Sequence, residues 1–206
     1  MDRRKIKSTP VYIKDGVFIL GNKKSRHLYI TGPRSAGKTQ LARQVATDME
    51  LAFYDLDHEL NTKLRNYGGL IKVINSENWN LIDSNLKKII EYFIGKKESF
   101  VAAIAGGIFE YEHVSDEIKR DGIILAIIPG SYLVEAREIL VSREMKRAHF
   151  KAMIVKRKMT RESLRSKIIK DMNDSLVKIE DKADSIHFTG RKDPQAVVKS
   201  IFRQVT

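Results

Sequence analysis

Leu28-Tyr-Ile-Thr-Gly-Pro-Arg-Ser-Ala-Gly-Lys-Thr-Gln-Leu-Ala-Arg43 decides the fold. The short run Leu28 to Thr31 is apolar and aromatic, which predicts a buried strand. Gly32-Pro-Arg-Ser-Ala-Gly37-Lys38-Thr39 then fits G-x-x-x-x-G-K-[ST] at every fixed position. From Gln40 to Met49 the spacing places Leu41, Val45 and Met49 on one helical face. Strand, glycine loop and helix in that order are the context of a phosphate-binding loop. Gly32 and Gly37 let the backbone wrap an anion closely, so that N–H groups from Gly32, Ser35, Ala36, Gly37 and Lys38 turn toward phosphate at a helix N-terminus. Lys38 is expected to reach the β- and γ-phosphates of a bound nucleotide, and the Thr39 hydroxyl to hold Mg²⁺.

Downstream, Leu51-Ala-Phe-Tyr-Asp-Leu-Asp57 predicts a second buried strand ending in two carboxylates. Along an extended strand Asp55 and Asp57 project from one face, toward the crevice where parallel α/β sheets bind ligands. Beside a triphosphate one acid orients Mg²⁺ and the other accepts the proton of an attacking hydroxyl. The plain alternative is a strand end with solvated acids, or Asp57 capping the following helix. Residues 58–98 are expected to be mostly helical, with apolar stripes at Leu60 and Leu64, at Leu70, Val73 and Ile74, and from Leu81 through Leu86, Ile89, Ile90 and Phe93; Gly68-Gly69 breaks the first two. Phe100 to Ile108 predicts an apolar strand running into Gly106-Gly107, where a ligand or a plain turn would be accommodated. Ile123 to Pro129 predicts another buried strand, with a helix after it turning Leu133, Ala136, Ile139 and Leu140 inward. A helix capped by Thr160 carries Leu164, Ile168 and Ile169 inward. Ser185 to Thr189 is a short strand, and Asp193-Pro194 opens a last helix through Val197, Val198 and Ile201.

Alternating strands and helices imply an α/β fold with a doubly wound, mostly parallel sheet and helices on both faces. Ahead of it, Val11 to Leu20 reads as a β-hairpin turning at Asp15-Gly16, which adds an edge to the sheet or covers one. The expected organisation is a basic arm and hairpin extension over 1–27, then a phosphate-loop domain over 28–206 with a basic segment at about 137–170.

The chain has 206 residues and a net charge of +12, a size suited to one α/β domain. The excess charge is localised: residues 1–7 carry four cations and one anion, residues 142–170 carry eleven cations and two anions, and the remainder balances. Such patches suit anionic partners, including nucleic acid. No cysteine is present, so disulfides and thiolate metal sites are excluded. No apolar run approaches the roughly 20 residues of a membrane span and no export signal is visible, making the cytoplasm the expected location. The five histidines are scattered without metal-ligand spacing.

The order of these motifs resembles the shikimate kinase family, within the nucleotide-monophosphate-kinase-like enzymes. The parts that match are Gly32–Thr39, Asp55-Leu-Asp57-His, the Gly106-Gly107 strand end, Ile-Ile-Pro129, Ala183-Asp184 and Gly190-Arg191-Lys-Asp-Pro194. The resemblance implies an ATP- and Mg²⁺-dependent kinase that phosphorylates a hydroxyl, with residues 28–206 as the kinase-like domain and the basic segment at about 137–170 as its lid. Lys38 and Thr39 would bind ATP and Mg²⁺, and Asp55 would be the metal-side carboxylate. Asp57 would contact or deprotonate the acceptor, to which Gly106 and Gly107 would offer N–H groups. Arg143 or Arg147 would close over the phosphates from the lid, with Arg147 counted among the catalytic residues, and Arg191 would lie on the adenine side.

The departures concern the acceptor. Where the family holds the shikimate carboxylate with an arginine in a Phe-Arg pair, this chain has Trp79-Asn80, so Asn80 is the acceptor-side candidate. Ser175 stands where a second carboxylate-binding arginine is expected, and Ala105 where the family's glycine triple begins. The expected acceptor is therefore a small hydroxyl compound other than shikimate. The competing readings are a nucleic-acid-associated kinase acting on a nucleotide or polynucleotide hydroxyl, motivated by residues 142–170 and by the basic arm of residues 1–7, and a catalytically weak ATP-binding regulator.

Overall fold

The computed structural model describes residues 9–34, 36–129, 141–142, 145–146, 150, 154, 158–189 and 194–204. In chain order the elements are β1 (Val11–Lys14), β2 (Val17–Leu20), β3 (Lys23–Ser25), β4 (His27–Thr31), α1 (Lys38–Asp48), β5 (Ala52–Asp55), α2 (Leu56–Lys63), α3 (Leu70–Asn75) and α4 (Trp79–Ile94). They continue as β6 (Phe100–Ala103), α5 (Glu112–Asp121), β7 (Ile123–Pro129), α6 (Arg161–Lys182), β8 (Ser185–Thr189), α7 (Pro194–Ile201) and β9 (Phe202–Gln204). Single 3₁₀ turns occupy Arg65–Tyr67 and Gly106–Glu110.

Five strands form the central sheet in the order β5-β6-β4-β7-β8, every neighbouring pair parallel. The phosphate-loop strand β4 is its middle strand. Because side chains alternate along a strand, its two faces feed two cores. Tyr29, Ala102, Ile124 and Ala126 pack with Leu60, Ile90, Phe93 and Ile118 of α2, α4 and α5. Leu28, Ile30, Val101, Leu125 and Ile127 pack with Leu41 and Val45 of α1 and with Val197 and Ile201 of α7. A third cluster joins Leu164, Ile168 and Met172 of α6 to Ile128, Val141 and Phe150.

The hairpin forms as the Asp15-Gly16 signal predicts, both turn residues having positive φ (51° and 71°). It adds no edge to the central sheet. It builds a second, four-stranded sheet, β3-β2-β1-β9, whose inner residues Val11, Ile13, Phe18 and Leu20 cover the α1 and α7 side. Its parallel partner β9, three residues long, starts directly after α7 and was beyond the reach of periodicity. Lys23 Nζ ties the two sheets together through Asp184 Oδ2 at 2.7 Å, and the same carboxylate oxygen accepts from the Ile124 N–H at 2.8 Å.

Two expected strands are shorter than the apolar runs that suggested them. β5 stops at Asp55, whose carboxylate accepts from the His58 N–H and starts α2; Leu56 and Asp57 are helical. Asp55 and Asp57 therefore do not project side by side from an extended strand. The plain alternative also changes residue, since Asp55 rather than Asp57 is the cap. β6 stops at Ala103, and Gly106-Gly107 opens a 3₁₀ turn. The helix capped by Thr160 forms as expected, with Thr160 Oγ1 accepting from the Ser163 N–H at 3.1 Å, but it extends to Lys182. The helix expected around Leu133, Ala136, Ile139 and Leu140 lies outside the described residues.

At the sheet end opposite the phosphate loop, Asp121 Oδ2 accepts from Tyr29 OH at 2.6 Å and lies 2.7 Å from His27 Nδ1. Burial first, and then the Asp121 charge, push the Tyr29 phenol well above its ordinary range.

Candidate active site

The buried end of β4 leads into the loop through Thr31, whose hydroxyl has no hydrogen-bond partner among the described residues. Gly32 follows with φ 153°, and a Cβ there would lie 2.2 Å from the Ile127 carbonyl oxygen of β7. Only glycine fits a backbone pressed against a neighbouring strand in this way. Gly37 is the N-cap of α1 in the left-handed region, φ 81°, and a Cβ there would meet nothing within 4 Å. Its glycine is demanded by conformation rather than by crowding. Between them the Ala36 N–H donates to the Pro33 carbonyl at 3.3 Å, so the loop curls before entering α1.

Two side chains at the head of α1 face different tasks. Lys38 Nζ bridges back across the loop to the Pro33 carbonyl at 3.0 Å. Thr39 Oγ1 donates to Asp55 Oδ2 at 2.9 Å, while Asp55 Oδ1 accepts the His58 N–H at 3.2 Å. One carboxylate thus binds the phosphate-loop hydroxyl and caps α2. A hydroxyl and a carboxylate converging at the C-terminal edge of a parallel sheet form a hard-oxygen donor set, the type Mg²⁺ takes alongside phosphate oxygens and water. Thr39 and Asp55 fit that ion, and Lys38 with the N-terminus of α1 fits a polyphosphate, while the Ala36 N–H is taken up by the Pro33 carbonyl.

Asp57 stands exposed in the first turn of α2, two residues beyond the cap, where the helix N-terminus favours negative charge. Gly106 is buried: a Cβ there would lie 2.7 Å from Ser175 Oγ and from Ile179 Cδ1, and 3.3 Å from the Gly32 carbonyl oxygen. The close neighbours are side chains of α6, which would have to shift for any larger residue here. Gly107 is exposed, and a Cβ on it would meet nothing within 4 Å. The β6 end, the loop entrance and Ser175 therefore meet at one point, a three-way contact that no linear motif signals. Asn80 is exposed in the first turn of α4 beside Trp79, itself 51% exposed. Ser35, Arg143, Arg147 and Arg191 lie outside the described residues.

A further loop residue escaped the sequence reading. Arg34 places its guanidinium 5.8 Å from the Phe150 ring centroid, and Phe150 is buried in the third core cluster. The variable positions of the motif give no hint of such a contact. No helix among the described residues is long and apolar enough to cross a membrane.

Comparison with known proteins follows the same lines. The family model described as shikimate kinase matches residues 34–206. A pentafunctional AROM polypeptide of Schizosaccharomyces japonicus is 33% identical over 129 residues, covering 60% of this chain and 8% of that protein. Shikimate kinase 1 of Enterobacter sp. (strain 638) is 28% identical over 101 residues, 48% of this chain and 56% of its own. The chain therefore matches well under two thirds of the length of either relative. Among solved structures, a shikimate kinase from Acinetobacter baumannii in complex with shikimate superposes with a TM-score of 0.62 at 19% identity, over 85% of this chain and 89% of that one. A shikimate kinase from Bacteroides thetaiotaomicron gives 0.60 at 17% identity, over 84% and 94%. At these identities the shared property is the fold.

Proposed function

Because the chain belongs to the shikimate kinase family, we propose that it transfers the γ-phosphoryl group of ATP to a hydroxyl of a small acceptor other than shikimate. The observation that carries the phosphoryl-transfer reading is the 2.9 Å bond from Thr39 to Asp55, which couples the phosphate loop to a carboxylate at the sheet edge. Loop N–H groups and Lys38 would hold the β- and γ-phosphates and neutralise charge as it moves toward ADP. Thr39 and Asp55 would hold Mg²⁺, which supplies further charge neutralisation on the phosphate oxygens. Asp57 would accept the proton of the acceptor hydroxyl as its oxygen bonds to phosphorus and the bond to ADP breaks. Arg143 or Arg147 would close over the phosphates, and Arg191 would contact the adenine side.

The acceptor half supports a different substrate from the family's own. A carboxylate taken out of water needs a charged partner, and arginine supplies a bidentate one. By the sequence resemblance Asn80 and Ser175 stand at the two corresponding places, and Ser175 is the residue found against Gly106. Small hydroxyl compounds without a carboxylate suit such a lining better. The test is ADP release in the presence of Mg²⁺ and ATP, with nucleosides, sugars, polyols and shikimate offered in parallel. ADP release stimulated by a neutral acceptor supports the reading; no acceptor-dependent release with any compound contradicts it.

A further inference from the structure

The second sheet turns a face to solvent that the proposed kinase chemistry does not use. Burial alternates along its strands: Val11, Ile13, Phe18, Leu20 and Phe202 point inward, while Tyr12, Lys14, Lys24 and Arg203 are exposed. Register brings the outward residues into one row. Arg203 pairs with Tyr12, Tyr12 with Ile19, and Ile19 with Lys24, across β9, β1, β2 and β3. Lys14 lies two residues along β1 from Tyr12, on the same face. At the usual strand spacing this row spans roughly 14 Å. An exposed aromatic ring lies inside it with a cation at either end.

Among the described residues no acid pairs with the exposed cations of this face. None of the four strands contains an acidic residue. The one cation of the set that is ion-paired, Lys23, turns inward to Asp184. The nearest acid in sequence, Asp15, belongs to the hairpin turn beyond Lys14. Residues 8–141 and residues 171–206 are each electrically balanced, so Lys14, Lys24 and Arg203, which pair with no acid among the described residues, are a local concentration on one small sheet. The chain entering β1 also follows the +3 stretch of residues 1–7.

We propose that this face binds single-stranded nucleic acid, with Tyr12 stacking on a base and Lys14, Lys24 and Arg203 contacting phosphates. A solvent-facing sheet that combines an aromatic ring with flanking cations offers what a single strand needs: a π-face for any base and charge for the backbone. A duplex buries its base faces and would leave Tyr12 unused. The flanking Val17 and Ile19 are only partly exposed, which gives a lipid surface little to insert into.

The experiment is fluorescence anisotropy of labelled oligothymidylate and oligouridylate titrated with the full chain, from low to physiological salt. Expected is binding whose logarithm falls linearly with log salt, with a slope of about −0.7 for each phosphate neutralised and thus about −2 for three cations. Tyr12→Ala is expected to weaken binding at least about fivefold, and Tyr12→Phe to retain it, because stacking needs the ring and not the hydroxyl. Replacing Lys14, Lys24 and Arg203 together by Glu is expected to abolish binding, with circular dichroism and ATP affinity reporting an intact fold. Replacing Lys158, Arg161 and Arg165 by Glu is expected to leave it unchanged. No binding at low salt overturns the proposal and leaves the cations as guards against edge-to-edge pairing. Binding undiminished by the sheet variants overturns it in favour of another surface. Binding to phosphatidylserine vesicles but not to oligonucleotide overturns it in favour of a membrane.

Discussion

Thr39 Oγ1 and Asp55 Oδ2 meet at 2.9 Å, joining the first turn of α1 to the last residue of β5. The same aspartate caps α2 through its other oxygen. Asp55→Ala removes both functions, Asp55→Asn only the charge, since an amide oxygen still caps a helix. Asp55→Ala is expected to lose about 1 kcal/mol of stability, the usual cost of an N-cap. Both variants should need at least about tenfold more Mg²⁺ for nucleotide binding or turnover, the usual effect of removing a group that supports a metal site. Thermal denaturation and Mg²⁺ titration separate the two effects.

Lys38 reaches back to the Pro33 carbonyl and so arches over the loop where phosphate would lie. Lys38→Ala should abolish phosphoryl transfer and weaken ATP binding while the fold persists, because it deletes a charge at the loop and Lys38 belongs to none of the core clusters. Calorimetric ATP affinity beside a circular dichroism spectrum measures this. Affinity equal to wild type would remove the loop from the proposed mechanism.

Asp57 separates chemistry from binding. Asp57→Asn is close to isosteric but cannot take up the hydroxyl proton, so turnover should fall about a hundredfold or more with ATP affinity nearly unchanged. Steady-state kinetics of ADP release give both quantities. A variant as fast as wild type would show that another group is the base.

His187 predicts a pH dependence of stability. It is buried in β8 with Nε2 3.0 Å from Ser185 Oγ, and burial lowers its proton affinity, partly offset by a hydrogen bond with the Thr9 backbone. The folded protein therefore binds the His187 proton less readily than the unfolded chain. Its contribution is fully present above the ordinary histidine value of about 6.5 and is lost as pH falls from there through the lower folded value. Denaturant titrations at stepwise pH should show this loss, and His187→Gln should reduce it.

Much of this molecule was legible locally. Gly32, Gly37, Lys38 and Thr39 announce their geometry because glycine conformation and helix starts are set by neighbours in sequence. The hairpin at Asp15-Gly16 and the Thr160 cap were legible for the same reason. Apolar runs were less reliable at strand ends. Leu56 is as apolar as a strand residue, and only the Asp55 cap, a side-chain to backbone bond, decides that the chain turns helical there. Long-range pairings left no local trace: β9 against β1, Lys23 against Asp184, Arg34 against Phe150, and Gly106 against Ser175 and Gly32. Asn80 and Ser175 were singled out by what they lack, and the packing of Ser175 against Gly106 was not visible from sequence at all.

The central claim is that the phosphoryl-donor half of the family is retained and the acceptor half rebuilt. The most direct measurement is kcat/KM for shikimate in the wild-type chain and in the double variant Asn80→Arg, Ser175→Arg. Two missing charge-assisted hydrogen bonds, each worth about 1.5–3 kcal/mol, predict wild-type efficiency on shikimate at least about a hundredfold below that of the double variant. Efficient wild-type turnover at micromolar KM, unchanged or worsened by the arginines, would contradict the account and show that other cations hold the carboxylate.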